Sequence, residues 1–324
     1  MLNTLVSHGL HRIADVVLQN LNESTGRGLM ILTVTAVLLS VESPFARKEG
    51  RSRDYRQSYL ANFGMLMFND TLLSILSVTS LWAIASRYSG WGLLSGIQDV
   101  GVKALLSFVL LDLTLYLWHR ANHQFDGLWR FHKVHHSDRV MNVSTAFRLH
   151  GVEVFLTVAV KALFIVVVGV DATLVIANEA LITLCVLFHH ARIHFRGERL
   201  LGRLAIMPYL HRTHHSVVRA EYDSNYGAVF SCWDRLFGTL SEAEPEVLGL
   251  FNVPGQNLLA LLKFGFARNA PAMPARTVVR GYPLHAMIAE AAYYRAERRG
   301  FAPGDDFRDW LEAEREFRHS YPRS

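Results

Sequence analysis

Apolar and polar positions alternate along this chain on the scale of whole helices, with long hydrophobic runs separated by short charged, histidine-bearing stretches. Residues 2–21 place Leu5, Val6, Leu10, Ile13, Val17 and Leu21 near one helical face, which predicts an amphipathic helix lying either at a membrane surface or against the protein body. Gly28–Val41 is apolar but fourteen residues long, about 21 Å as a helix. Crossing a bilayer takes about twenty residues, so this run extends toward Ala46 or enters at a tilt. Tyr59–Ala85 is long enough, although Asn62, Asn69 and Asp70 interrupt it. Val102–Trp118, Val152–Gly169 and Ala172–Phe188 complete the set, the last two hinged at Gly169-Val-Asp171 as a hairpin that barely crosses. The expected fold class is all-α: a multi-span membrane protein of four or five spanning or re-entrant helices with a cytoplasmic helical cap. Past Asn269 the pattern turns polar and predicts two short helices, Tyr282–Arg299 and Asp305–His319, with Gly300 ending the first. Three regions follow, 1–100, 101–268 and a small helical tail 269–324.

Composition supports the membrane reading. Hydrophobic residues make up 51% of the chain, and the mean hydropathy is positive at +0.17 despite a pI near 9.3. The net charge of +5 is distributed between apolar runs, so it reads as membrane topology rather than nucleic-acid binding. Arg47, Lys48, Arg51, Arg53 and Arg56 lie between the first two runs, and only Arg87 lies between the second and third. Arg120, Arg130, Lys133 and Arg139, and then Arg192, Arg196, Arg199, Arg203 and Arg212, lie on the same side as the first group. Lys and Arg mark the cytoplasmic face. The two cysteines, Cys185 and Cys232, have neither disulfide nor Cys-X-X-Cys spacing. The chain therefore carries no iron–sulfur signature.

Twelve of the sixteen histidines fall between His119 and His215. They form four boxes: His119-Arg-Ala-Asn-His123, His132-Lys-Val-His135-His136, His190-Ala-Arg-Ile-His194 and His211-Arg-Thr-His214-His215. Spacings of three and four put side chains on one helical face, roughly 5–6 Å apart at Cβ. Four such faces offer about ten imidazoles, more than one metal ion takes, so two ions are expected. Imidazole suits iron, zinc, copper and nickel. Asp112, Tyr116, His119 and His123 share one face, so Asp112 is either a pocket or bracing carboxylate for a ligand imidazole or a span-buried acid paired elsewhere. Asp223 and Asn225 are read in the same two ways, as braces for the site or as turn residues. His189 lies about 100° around a helix from His190, so it leaves the face that His190 and His194 would share.

The stretch Asp112–His123, the box His132–Ser137, the box His211–Ser216 and the later Asp223-Ser-Asn225-Tyr226-Gly227 with Trp233–Thr239 resemble the fatty acid hydroxylase / sterol desaturase superfamily of membrane enzymes. The likeness covers about residues 101–255. It implies a di-iron site with His119, His123, His132, His135, His136, His190, His194, His211, His214 and His215 as metal ligands, supported by Asp112, Asp223 and Asn225. It also implies O2 as co-substrate, a lipid substrate in the bilayer and a separate electron-donor protein. Hydroxylation and desaturation are close variants on such a site, and zinc, which does not change oxidation state, could not serve O2 chemistry. Arg148, His150 and Glu153 match a polar patch common in the family, where His150 would line the site. The third box departs from the pattern: many relatives carry Asn where Arg192 stands and a residue other than His at His194. The run Ile288–Gly300 with Asp309–Arg315 resembles a small bacterial domain of unknown function, which implies a bacterial inner-membrane protein with its boxes toward the cytoplasm. Two other classes remain open at this level, a histidine-rich membrane metal transporter with ligands deep in its spans and a haem electron carrier with paired axial histidines.

Overall fold

The structure is a computed structural model that describes residues 29–30, 32–44, 52–75, 80–245, 247–250, 253–267 and 284–320. The expected N-terminal amphipathic helix lies outside the described residues. The described chain is helical, and its only pairings of β type are two isolated bridges, Ala205 with Phe230 and Ser216 with Leu248. The first helices are α1 (Leu32–Pro44), α2 (Ser52–Ile75), α3 (Leu81–Tyr88), α4 (Val100–Gln124) and α5 (Asp126–His136). A 3-10 turn at Val143–Phe147 leads to α6 (Gly151–Val168) and α7 (Ala172–His190). Short helices follow: α8 (Glu198–Leu201), α9 (Pro208–His214), α10 (Arg219–Tyr222), α11 (Cys232–Leu236) and α12 (Leu258–Phe264). The tail is α13 (Leu284–Arg298) and α14 (Asp306–Ser320).

Three helices, α4, α6 and α7, are long and apolar enough to cross a membrane. Only 28–33% of their apolar windows is buried in the protein, and Leu105, Leu117, Phe155, Leu163, Val167 and Leu181 face outward. Helices apolar on their outer faces as well suit a lipid surround. The expected second span, Tyr59–Ala85, is two helices: α2 ends at Ile75, and α3 begins anew with Ser80 accepting the Ala83 N–H. The polar residues of α2 turn inward, while Leu60, Met67 and Ile75 on its other face are exposed. Asn62 donates to Asp138 and Ser144, and Asn69 donates to the Leu149 carbonyl, so this face is turned to the loop after α5.

Each of the three spans has one end at the histidine boxes. Asp99 caps α4 by accepting the Val102 N–H. At the other end Phe125 is extended and serves as both C-cap of α4 and N-cap of α5, so the second box turns back directly beside the first. α6 runs from the box end to Gly169, and α7 returns from Ala172. Gly169 adopts φ +75°, and a Cβ there would lie 1.9 Å from the Trp91 carbonyl oxygen, so the turn admits only glycine. α3 packs against both α6 and α7 at this far end, around Ala85, Phe164, Ile165, Val168 and Val175. Polar ties within the spans are paired, as burial in lipid requires. Lys161 bonds Glu179 at 2.8 Å, Lys103 bonds Asp171 at 2.8 Å, and the Trp118 indole donates to Thr157.

At the box end Arg148 is buried under α5. It donates to the Val134 carbonyl, Ser137 and Asn62, and Asp138 beside it accepts from Ser58, Asn62 and Thr145. Burial and Asp138 pull on Arg148 in opposite directions, with burial the stronger. Arg148 and these hydrogen bonds outweigh burial at Asp138 and hold its carboxyl below the usual range. The tail helices form a hairpin. Gly300 and Phe301 turn it at φ +66° and +55°, and Arg299 bonds Asp305 and Asp309 across it.

Candidate metal centre

α4, α5, α7 and α9 deliver nine histidines to two adjoining groups. Nitrogens of His119, His123, His132, His136 and His214 lie within 4.8 Å of one another, and so do those of His135, His190, His211 and His215. All but His119 are buried. Two short helices serve both groups. On α5, His132 and His136 are four apart and face the first group, while His135 faces the second. On α9, His211 faces the second group and His214 the first, and His215 follows at the helix end. The groups therefore touch, with the His136 and His215 rings stacked at 4.6 Å.

Fixed acceptors set the tautomers. His119 donates from Nδ1 to the Tyr226 carbonyl (2.9 Å), His190 to the Val186 carbonyl (2.7 Å) and His214 to the Ser224 carbonyl (2.6 Å). The Nδ1 protons of His123 and His132 go to the carboxylates of Asp223 (3.0 Å) and Glu153 (2.7 Å). Each of these imidazoles is left with a bare Nε2. His119 and His132 then point two such nitrogens at each other across 3.1 Å. Nε2 atoms also approach one another between His136 and His132 at 3.2 Å, His190 and His135 at 3.2 Å and His211 and His190 at 3.0 Å, although no acceptor fixes the tautomer of His135, His136 or His211. Facing lone pairs repel unless a cation lies between them. Two nitrogens each roughly 2.0–2.1 Å from a metal and at right angles about it are about 3 Å apart, the separation seen here.

Further buried nitrogens have no hydrogen-bond partner: Nε2 of His123 and His214, Nδ1 of His135, His136 and His211, and both nitrogens of His215. Buried polar atoms are normally satisfied and a neutral imidazole has one bare nitrogen, so the Nε2 atoms of His123 and His214, whose Nδ1 atoms face fixed acceptors, and one nitrogen of His215 mark where metal ions fit. Burial, reinforced by neighbouring imidazoles, holds His135, His136, His211, His214 and His215 well below the ordinary histidine range. They are neutral near pH 7, the form that coordinates metal.

His194 is the expected ligand that the structure leaves out. α7 ends at His190, and Ala191 is extended (φ −64°, ψ 140°), so the helical face that would pair residues 190 and 194 does not exist. The His194 side chain is 56% exposed, close to Glu198 and hydrogen-bonded to Arg212. His189 is buried with its ring 4.0 Å from His211 but belongs to neither group. Asp112 bonds no histidine. It accepts from the Val229 and Phe230 N–H groups and the Trp233 indole, so it pins the loop after the last box to the middle of α4. Asn225 also pins that loop. It sits at φ +53° and bonds the Leu210 and Ser241 carbonyls and the Ser241 N–H. Asp223 accepts from Nδ1 of His123 in the first group, and burial pushes its carboxyl up against the pull of Arg219.

Of the patch Arg148, His150 and Glu153, only Glu153 reaches a clustered histidine. His150 caps α6 through the Val152 N–H and bonds the Leu262 carbonyl. Glu153 had two signals in the sequence, an acid one turn into an apolar span and its place in the patch with Arg148 and His150. The carbonyls of Tyr226, Ser224 and Val186 had none, because every residue carries one.

Comparison with known proteins gives the same region. Residues 104–239 match the family model described as fatty acid hydroxylase, and residues 283–318 match one described as a protein of unknown function. The ornithine lipid hydroxylase of Rhizobium tropici is 31% identical over 51% of this chain and 51% of its own length. Human alkylglycerol monooxygenase is 32% identical over 44% of this chain and 32% of its own. A cholesterol 25-hydroxylase-like protein of Danio rerio is 25% identical over 72% of this chain and 98% of its own. The chain thus spans about half the length of the ornithine lipid hydroxylase and about a third of the alkylglycerol monooxygenase. No solved structure matches it.

Proposed function

From the match of residues 104–239 to the fatty acid hydroxylase family model, we propose that this chain is a membrane-bound lipid hydroxylase with one iron ion in each histidine group. The observation that carries the reading is the pair of adjoining groups, in the first of which His119 and His132, each with Nδ1 against a fixed acceptor, bring their Nε2 atoms within 3.1 Å of each other. His119, His123, His132, His136 and His214 hold one ion, and His135, His190, His211 and His215 the other. Iron supplies O2 activation, which zinc cannot. In hydroxylation one oxygen atom enters a C–H bond and the other leaves as water, with two electrons and two protons supplied through a separate donor protein. Desaturation on the same site removes a second hydrogen instead. The relatives named as lipid hydroxylases and monooxygenases support a lipid as substrate.

The protein's own residues hold the imidazoles. Asp223 and Glu153 keep protons on Nδ1 of His123 and His132, so that Nε2 of each stays free to coordinate. Asp112 and Asn225 support the reaction indirectly, by fixing the loop that carries the Tyr226 and Ser224 carbonyls. The box end of the spans faces the cytoplasm, on the evidence of the flanking Lys and Arg residues, in a bacterial inner membrane.

Elemental analysis of protein made in iron-replete cells tests the metal, with about two ions per chain expected from the two ligand groups. Full turnover with zinc alone would sink the redox reading. Lipid profiling of a deletion strain tests the reaction, and a membrane lipid lacking one oxygen or one double bond is the expected difference.

A further inference from the structure

The C-terminal hairpin rests on the segment that joins the last histidine box to Asp223. Ile288, Ala291 and Ala292 of α13, with Ala313 of α14, form one apolar cluster with Val217, and Val218 and Trp310 pack against it. Val217 and Val218 come directly after His214-His215-Ser216 and directly before Arg219. At Arg219 the contact becomes polar, for its guanidinium lies 3.9 Å from the centre of the Tyr293 ring. Its Nε donates to Asp223 Oδ2 at 3.0 Å, and Asp223 Oδ1 accepts from His123 Nδ1 at 3.0 Å. An unbroken series of contacts therefore runs from α13 to a histidine of the first group. The Arg219 and Asp223 side chains are 35% and 29% exposed, and an ion pair open to water holds its geometry weakly. A guanidinium seated on an aromatic face has its plane fixed, which gives Tyr293 a purpose at this place.

We propose that the 284–320 hairpin is a clamp on the metal centre, in which Tyr293 fixes Arg219, Arg219 fixes Asp223 and Asp223 keeps His123 turned toward its group. The inference rests on reading the two groups as metal sites. Tyr293 and Arg219 are positioning residues, and the function assigned is that of a segment whose family model carries none.

Zinc release from the full-length, detergent-purified protein into excess chelator tests the clamp. Wild-type protein should release zinc in two phases, and the phase accelerated by Asp223→Asn belongs to the His123 group. Tyr293→Ala should speed that phase alone by about 3–10-fold, less than the roughly 10–100-fold typical of a direct partner of a ligand histidine. Tyr293→Phe keeps the ring but loses the hydroxyl that bonds Arg219, and should fall between wild type and Tyr293→Ala. Arg219→Gln should match Tyr293→Ala, and Tyr293→Ala should add nothing in an Asp223→Asn background. Wild-type release rates in Tyr293→Ala and Arg219→Gln would overturn the clamp. Equal acceleration of both phases, or a full additional effect in the Asp223→Asn background, would assign Tyr293 a general packing role and overturn it too. Wild-type protein that takes up no zinc at all would overturn the reading of the groups, a failure visible before any variant is made.

Discussion

His190 ends α7 and its Nε2 faces those of His135 and His211, whereas His194 lies beyond the extended Ala191 and reaches Arg212 and Glu198. Replacing His190 by alanine should therefore release metal from the second group and abolish turnover. His194→Ala should keep its metal content and most of its activity, and metal analysis beside a turnover assay separates the two. Glu153 makes a different prediction, because it lies outside both histidine groups and accepts from Nδ1 of His132. Glu153→Gln offers a neutral amide where a carboxylate accepted that proton, and should lower metal affinity or activity by roughly 10–100-fold. If Glu153→Gln binds metal as tightly as wild type, the bond from His132 is not what sets the tautomer. Both residues are ordinary in the sequence. What distinguishes them is where a helix stops and which ring a carboxylate meets.

Helices α6 and α7 carry one ion pair between them, Lys161 with Glu179, whose side chains are only 16% and 11% exposed. A buried charge that loses its partner costs about 3–5 kcal/mol, while replacing both members by apolar residues is often neutral or better. Glu179→Ala should accordingly lower the unfolding temperature of the detergent-solubilised protein sharply, and Lys161→Met with Glu179→Leu should restore most of it. A double variant as unstable as the single one would mean that the pair does more than hold two spans together. The helices themselves were largely legible. The bounds of α6, α7 and α14 fall within two residues of those expected from apolar period, caps and glycines, whereas α4 runs six residues past the expected Trp118. The exception is the run Tyr59–Ala85, where hydropathy alone joined α2 to α3. Asn62 and Asn69 serve a buried polar network, and that network is invisible along the chain because its partners, Asp138, Ser144 and Leu149, lie some eighty residues away.

For the whole molecule, all three spans present their histidine-bearing ends at one level and Gly169, Asp171 and Asp99 at the other. The proposed orientation, with the histidine level in the cytoplasm, rests on charge asymmetry. In a background lacking Cys185 and Cys232, the exposed positions Gln98 and Arg139 sit at opposite ends. Gln98→Cys should react with an impermeant thiol reagent on intact cells, and Arg139→Cys only after permeabilisation; the reverse pattern would invert the topology. The sequence by itself determined the helical class, the positions of the apolar helices and the inventory of imidazoles, because hydrophobic period and box spacing are local properties of the chain. Tertiary structure alone decided that nine of the ten expected histidines converge, that they divide five and four, and that His194 falls outside. It also decided that Asp112 and Asn225 grip a loop while Asp223 and Glu153 grip histidines. The reason is geometric. Spacing fixes which side chains share a face, but only the packing of α4, α5, α7 and α9 fixes which faces meet, and a backbone carbonyl or carboxylate braces a ring only where the folded chain brings it within 3 Å.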